Sequence, residues 1–373
     1  MRIGFDAKRA ISNFTGLGNY SRFVISNLMK YYPDNVYKLF IPKLPQDNKD
    51  KVREAINDEN VYSLKNTHRP FWRTIGIVKN IKEENIDLYH GLSNELPYRI
   101  KRTGVKSVVT IHDLIFLVHP EFYSLVDRSI YNVKAKYACK VADRVIAVSD
   151  CTKRDIVKYY DIDPAKIDVV YQGCFPIYKE RADEVKKQEV RQKYNLPEDF
   201  ILSVGSIEER KNILLAVKAL KRVPDIHFVA IGKHKEYADK VLRYADNNGL
   251  SDRVHLLSNV PLTDLPAIFQ IAKLFVYPSL YEGFGIPIIE ALNSGVPVIG
   301  AKGSCLEESG GPHSVYVDPH DDVELAQQIN NLLADTEMRA TMIKEGLKYV
   351  KRFSDEQCTN SLMTVYDSVV SSI

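Results

Sequence analysis

The sequence predicts an α/β protein made of two doubly wound domains. Three observations carry that prediction: a length of 373 residues, longer than one ordinary core organises; short runs of Val, Ile and Leu that end in Gly, Asp, His or Ser; and helical patterns between those runs. Continuous apolar strands alternating with helices mark parallel sheets covered on both faces, and the series occurs twice.

In the first half the predicted strands are residues 2–5, 37–41, 86–89, 107–111 and 145–148. In the second they are residues 200–204, 226–231, 254–257, 274–277 and 296–299. The expected domains are residues 1–175 and 176–354. Between the two series, residues 174–198 are polar, charged and bounded by Pro176 and Pro197, which reads as a linker with one short helix. Ligands of such sheets bind outside the carboxyl ends of the strands, so two facing domains would share one cleft.

Composition narrows the class. Apolar residues make up 45% and charged residues 27%, an ordinary globular balance. No apolar run approaches the ~18 residues of a membrane span and no leader pattern opens the chain, which predicts a cytoplasmic protein. Five cysteines (139, 151, 174, 305 and 358) are scattered without CxxC pairing and read as reduced thiols, with no zinc site. Residues 1–175 hold 28 Lys/Arg against 20 Asp/Glu, and the remainder 23 against 28. A basic first half suits an anionic partner, and no nucleic-acid motif accompanies it.

Chemistry concentrates in residues 279–297, SLYEGFGIPIIEALNSGVP. Glu282 and Glu290 flank a Gly283-Phe284-Gly285 turn, and Pro287 stands where a helix should begin. Amides at a helix start suit a diphosphate, and carboxylates on either side accept from hydroxyls; a sugar nucleotide offers both. The alternative for Glu290 is a carboxylate in the first helical turn, favoured merely by the helix dipole. Arg210 and Lys211 follow the strand 200–204, with Asn212 as expected N-cap of the next helix, and could neutralise a leaving diphosphate. An exposed Arg-Lys pair with no such role is the plainer reading.

In the first half, Gly16 and Gly18 lie between the first strand and a helix, in a Gly-x-Gly that lets backbone approach a ligand but lacks the dinucleotide fingerprint's third glycine. His112 and Asp113 close the strand 107–111, the Asp placed to orient the His. His90 closes the strand 86–89. Ser149 fits an N-cap. Residues 68–82 carry Trp72, several cations and an apolar stripe, an amphipathic helix for the core or for an anionic membrane.

The stretch from Glu282 to Glu290, running on through Gly295-Val296-Pro297, resembles the signature of retaining glycosyltransferases of family 4, built on the GT-B fold. The resemblance extends over nearly the whole chain. It implies two Rossmann-like domains facing across a cleft, with a last helix, about residues 355–373, returning to the first domain. It implies that Glu282, Gly283, Phe284 and Gly285 hold the donor sugar and phosphates, and Glu290 the ribose. Arg210-Lys211 match the family's diphosphate-binding pair, although Ser206 stands where many members have a further basic residue. Gly16 and Gly18 match a glycine-rich loop at the diphosphate, and His112 a His near the forming bond. His90 and Asp113 are assigned to the acceptor side.

The expected reaction is retaining hexosyl transfer from a nucleotide sugar, GDP-mannose favoured, to a glycan or lipid-linked glycan in surface-polysaccharide synthesis. No metal or other cofactor is required in that reading, because the two cations do a metal's work. UDP-sugar transfer is the main alternative. A sugar-nucleotide epimerase or phosphorylase lacks its own motif here, and a non-catalytic nucleotide-sugar binder is disfavoured by the intact charged set.

Overall fold

A computed structural model describes residues 1–13, 15–41, 61–63 (backbone only) and 72–371. The chain divides into two compact units, Met1–Gly173 with Phe353–Ile373, and Cys174–Arg352. Each is a doubly wound, wholly parallel sheet.

The first unit's strands are β1 (Arg2–Asp6), β2 (Val36–Ile41), β3 (Val61–Ser63), β4 (Leu88–Gly91), β5 (Lys106–Ile111), β6 (Arg144–Ala147) and β7 (Ile167–Val169), in the order β3-β2-β1-β4-β5-β6-β7. The second unit's are β8 (Phe200–Val204), β9 (His227–Ile231), β10 (Val254–Leu257), β11 (Leu274–Tyr277), β12 (Val298–Ala301) and β13 (Val315–Val317), in the order β10-β9-β8-β11-β12-β13. Strand order reverses between β1 and β4, and again between β8 and β11. Loops leaving those strands diverge and open a crevice at the sheet's carboxyl edge.

Three strands escape the sequence reading: β3, β7 and β13, each three residues long and lacking an extended apolar run. Two others shift by two residues. Asn85 turns the chain with φ +50°, and β1 pairs from Ile3 with Leu88, so β4 includes His90 in its interior. Gly295, at φ +75°, closes the preceding helix through Val296 N–H to the Ala291 carbonyl, so β12 starts at Val298.

Residues 174–198 are an integral piece of the second unit, not a linker. Tyr178 is buried edge-on against Phe269, and the helix Glu184–Lys193 packs on the helix Leu265–Ile271. The charges that suggested a linker satisfy a buried carboxylate: Asp264 accepts from Lys186 (2.7 Å), Lys193 (2.8 Å) and Tyr194 (2.6 Å). These donors hold the Asp264 carboxyl well below its usual range despite its burial.

In the first unit, Ser149 caps the helix Asp150–Tyr160 by accepting from the Thr152 amide. The terminal helix Asp355–Val370 packs against the helix Gly16–Tyr31 and β5. Of the amphipathic segment 68–82, residues 68–71 lie outside those described. In the remainder Trp72, Ile77 and Ile81 are buried in the core, whereas Ile75 of that stripe is 54% exposed and Val78 is half-buried. Among the described residues no helix is long and apolar enough to cross a membrane.

The Gly-x-Gly segment is the first turn of the helix Gly16–Tyr31, not a loop. A Cβ on Gly18 would collide with the Asn13 carbonyl, whereas one on Gly16 would meet nothing within 4 Å. Gly18→Ala should therefore destabilise the protein by about 2 kcal/mol or more in denaturant unfolding. Gly16→Ala should change stability by less than about 1 kcal/mol, upward.

Candidate active site

At the second unit's reversal, the loops after β8 and β11 are laced together. Leu280 N–H donates to the Arg210 carbonyl at 2.9 Å, Ser279 Oγ lies 3.1 Å from the same oxygen, and Arg210 Nη1 donates to the Tyr281 carbonyl at 2.8 Å. Asn212 sits where an N-cap would, but makes no capping bond. It adopts left-handed backbone (φ +53°), and its side-chain amide donates to the carbonyls of Pro278 (3.1 Å) and Pro319 (2.7 Å). Its contribution is to tie three loops.

This lacing brings Glu282, Arg210 and Lys211 together. Glu282 Oε2 lies 2.8 Å from Arg210 Nη1, and Oε1 lies 2.6 Å from Lys211 Nζ. Oε1 also accepts from Ser279 Oγ (2.5 Å) and the Tyr277 hydroxyl (3.2 Å). Burial pushes the Glu282 carboxyl up, but Lys211 and Arg210 outweigh it and bring it down to about 2. Lys211 is lowered by its own burial against the opposing pull of Glu282, and its ammonium lies 4.9 Å from the Tyr277 ring centroid. Arg210 also pairs with Glu208 (2.9 Å), which in turn pairs with Lys235. The two cations read from the sequence as able to neutralise a diphosphate are thus engaged by Glu282.

Gly285 is the N-cap of the helix Ile286–Asn293 at φ +102°, where a Cβ would lie 2.8 Å from Ser309 Oγ and 2.9 Å from Leu306 Cδ2. Only glycine fits. Gly283 precedes the buried Phe284, and the Glu282 carbonyl accepts from Cys305 Sγ at 3.1 Å. Glu290 is the fifth residue of that helix, in its second turn rather than its first. It is buried with the Tyr178 hydroxyl as hydrogen-bond partner, and burial raises its carboxyl to about 8 against the lowering effect of that bond. Glu290 is therefore held largely protonated near neutrality, and only further donors to its oxygens would bring it to the carboxylate form.

In the first unit, His112 follows β5. Its Nε2–H donates to the Leu92 carbonyl (2.9 Å), its amide to Asn94 Oδ1 (2.8 Å), and its ring meets Tyr20 edge-on at 4.6 Å. Burial lowers it to about 4, opposed by the Leu92 contact, so the ring is neutral at pH 7. Leu92 thus orients it, where Asp113 was expected to; Asp113 Oδ1 accepts from the Ile115 amide at 3.1 Å and closes the following turn.

His90 does not line an acceptor surface. It is wholly buried within β4, between the Tyr366 hydroxyl (Nδ1, 2.6 Å) and Thr110 Oγ1 (Nε2, 2.8 Å), and burial lowers it to about 3. Gly16 and Gly18 lie in a helix whose spacing is set by Asn13. Sequence reasoning missed Tyr277, Ser279, Tyr178 and Leu92. Ser279 and Tyr277 stand close to Glu282 in sequence, while Tyr178 lies far from Glu290, in the segment read as linker.

Glu282→Gln should leave Lys211 without its counter-charge and Arg210 with Glu208 alone, and lower unfolding free energy by about 3 kcal/mol at neutral pH. Because the folded carboxyl is depressed, its contribution is present above the unfolded value and lost as pH falls through about 2. Denaturant curves of the two proteins should therefore converge toward that acid limit.

Comparison with known proteins bears on the family and the fold. Residues 35–174 match the family described as Glycosyltransferase Family 4, and residues 186–349 match Glycosyl transferases group 1. O-antigen chain mannosyltransferase B of Escherichia coli is 28% identical over 98% of this chain and 99% of its own. The serotype-specific mannosyltransferase WbdA of the same organism is 31% identical over 71% of this chain, which spans 34% of that protein. The crystal structure of Anabaena Alr3699/HepE in complex with UDP superposes with a TM-score of 0.76 at 19% identity, covering 99% of this chain and all of the other. The architecture is GT-B, and the chain belongs to the family 4 glycosyltransferases.

Proposed function

We propose that this glycosyltransferase moves a hexose, mannose by preference, from a nucleotide sugar to a glycan acceptor with retention at the anomeric carbon. The observation that carries this reading is Glu282 clasped by Arg210 and Lys211 at the reversal point of the second sheet. A donor diphosphate competes for both cations. As they turn to it, the carboxylate is released to accept from sugar hydroxyls, so donor binding exchanges one set of charge-assisted bonds for another. The names of the curated relatives favour mannose, and the UDP in the Anabaena structure keeps uridine donors as the alternative.

In the transfer, the bond from the anomeric carbon to the β-phosphate oxygen breaks and a bond to the acceptor oxygen forms on the same face. The acceptor's proton passes to the departing phosphate. Arg210, Lys211 and the amides around Gly283–Gly285 stabilise charge growing on that phosphate. Glu282 orients the sugar, and Glu290 accepts from the ribose hydroxyls. Neutral His112 commits its Nε2–H to Leu92, which leaves Nδ1 as an acceptor.

Titration calorimetry with GDP, UDP and ADP tests the donor class. GDP should bind tightest, and Lys211→Ala should weaken it about tenfold or more. Ribose hydroxyls bound to Glu290 lower its raised carboxyl, so binding at pH 7 should release close to one proton, seen as a buffer-dependent enthalpy and absent in Glu290→Gln. Tighter binding of UDP would transfer the donor to the uridine class.

The acceptor in this reading is lipid-linked and met at an anionic membrane. The helix Leu125–Val141 supports it, since Val126, Ile130 and Val133 form an outward stripe, with Val133 69% exposed, beside exposed Lys134, Lys136 and Lys140. The protein should co-sediment with phosphatidylglycerol vesicles at low salt, and Val126→Ser with Val133→Ser should abolish it. Equal sedimentation of the doubly substituted protein would remove this surface from consideration.

A further inference from the structure

Among the described residues, three carboxylates of the second unit are buried: Asp264, Glu282 and Glu290. Asp264 accepts from three side chains and Glu282 from four. Glu290 has one such partner among the described residues, the Tyr178 hydroxyl, and no cation offsets its burial. A carboxylate offers about four lone-pair sites, so most of its accepting capacity is unused. As a way to fill a core, a tyrosine against a carboxyl is poor, because Phe and Leu would pack there without desolvating polar groups.

The Tyr178 hydroxyl reaches Glu290 from a backbone fastened on both sides. Pro176 opens the turn Pro176–Lys179, and the Tyr178 ring stands edge-on to Phe269 with centroids 5.6 Å apart. Before the turn, Cys174 Sγ accepts from Asn293 Nδ2 at 3.3 Å. After it, Arg181 Nη1 donates to the Ser294 carbonyl at 2.5 Å. Both contacts fall on the end of the helix Ile286–Asn293, within about one turn of Glu290. Gln270 holds the segment from the other side, accepting from the Ala182 amide at 3.0 Å and donating to the Glu180 carbonyl at 2.8 Å.

We infer that Tyr178 is a positioning residue for ribose: its hydroxyl fixes the plane of the Glu290 carboxyl and occupies one lone pair, leaving the others for a vicinal diol. The inference rests on the reading of Glu290 as the ribose acceptor. A rotating carboxyl would lose part of the diol's binding to ordering its own side chain, and one that is already bonded does not. The tyrosine touches no substrate and acts only through Glu290.

Titration calorimetry with GDP and its 2′,3′-dideoxy analogue tests this. The unsubstituted protein should prefer GDP about tenfold or more, and Tyr178→Phe, which keeps the ring on Phe269, should cut that ratio to about threefold or less. Binding of the dideoxy analogue should stay within about twofold. In a Glu290→Gln background, adding Tyr178→Phe should change GDP affinity less than about twofold. Burial and the Tyr178 bond act on the Glu290 carboxyl in opposite directions. The pH above which the GDP preference levels off, near 8, should therefore move upward in Tyr178→Phe. An unchanged preference in Tyr178→Phe, or equal weakening of both ligands or in both backgrounds, would reduce Tyr178 to a packing role and overturn the inference while leaving the ribose reading in place. No preference in the unsubstituted protein would overturn both.

Discussion

A carboxylate buried as deeply as Glu282 survives ionised only because two cations and two hydroxyls converge on it. That convergence needs the loops after β8 and β11 side by side, which only adjacent parallel strands at a reversal of strand order provide. Much of the second unit serves this one requirement. The Arg210 carbonyl is held by Leu280 and Ser279, Asn212 fastens two proline carbonyls, and Gly285 lets the chain turn straight into a helix. With Glu208 and Lys235 counted, the cluster has three cations and two anions, a surplus of one positive charge. The site is thus biased toward anions without exposing an unneutralised pair.

The same topology gives the first unit a reversal point of its own, between β1 and β4. It too gathers ionic side chains: Asp6 and Glu95 stand with Arg73, Lys134 and Arg9, which shares Ser93 Oγ with Arg73. One fold plan, used twice, supplies two crevices whose selectivity is set by the loop residues each strand delivers. Charge surplus in the second unit suits a diphosphate.

The parallel sheets were legible because strands covered on both faces must be continuously apolar, a pattern little else produces. The strands that escaped are those at or near sheet edges, where three residues suffice and a polar Asp168 is tolerated in β7. Glu282, Arg210 and Lys211 could be found as a set, since motif spacing places them at strand ends. Their mutual pairing could not, because it depends on register between β8 and β11, and Leu274 opposite Ile201 is not written in either strand. His90 shows the sensitivity. A two-residue shift of β4 takes its side chain from a loop mouth into the sheet. Residues 174–198 mislead for another reason: their lysines look solvated until Asp264, far along the chain, supplies the buried acceptor.

His90 also ties the first unit's completion to the end of the chain. Its Nδ1 partner, the Tyr366 hydroxyl, lies 276 residues downstream, on a helix made after the whole second unit. During synthesis, the second unit is available to fold as soon as its last strand and helices emerge. The first unit, begun earlier, holds an imidazole without its partner and an uncovered patch on the helix Gly16–Tyr31 until residue 370 is out. The polypeptide that starts first therefore finishes last, the reverse of the usual order for domains emerging from a ribosome. Premature termination anywhere in the final helix would cost the amino-terminal unit its closure while sparing the unit next to the break.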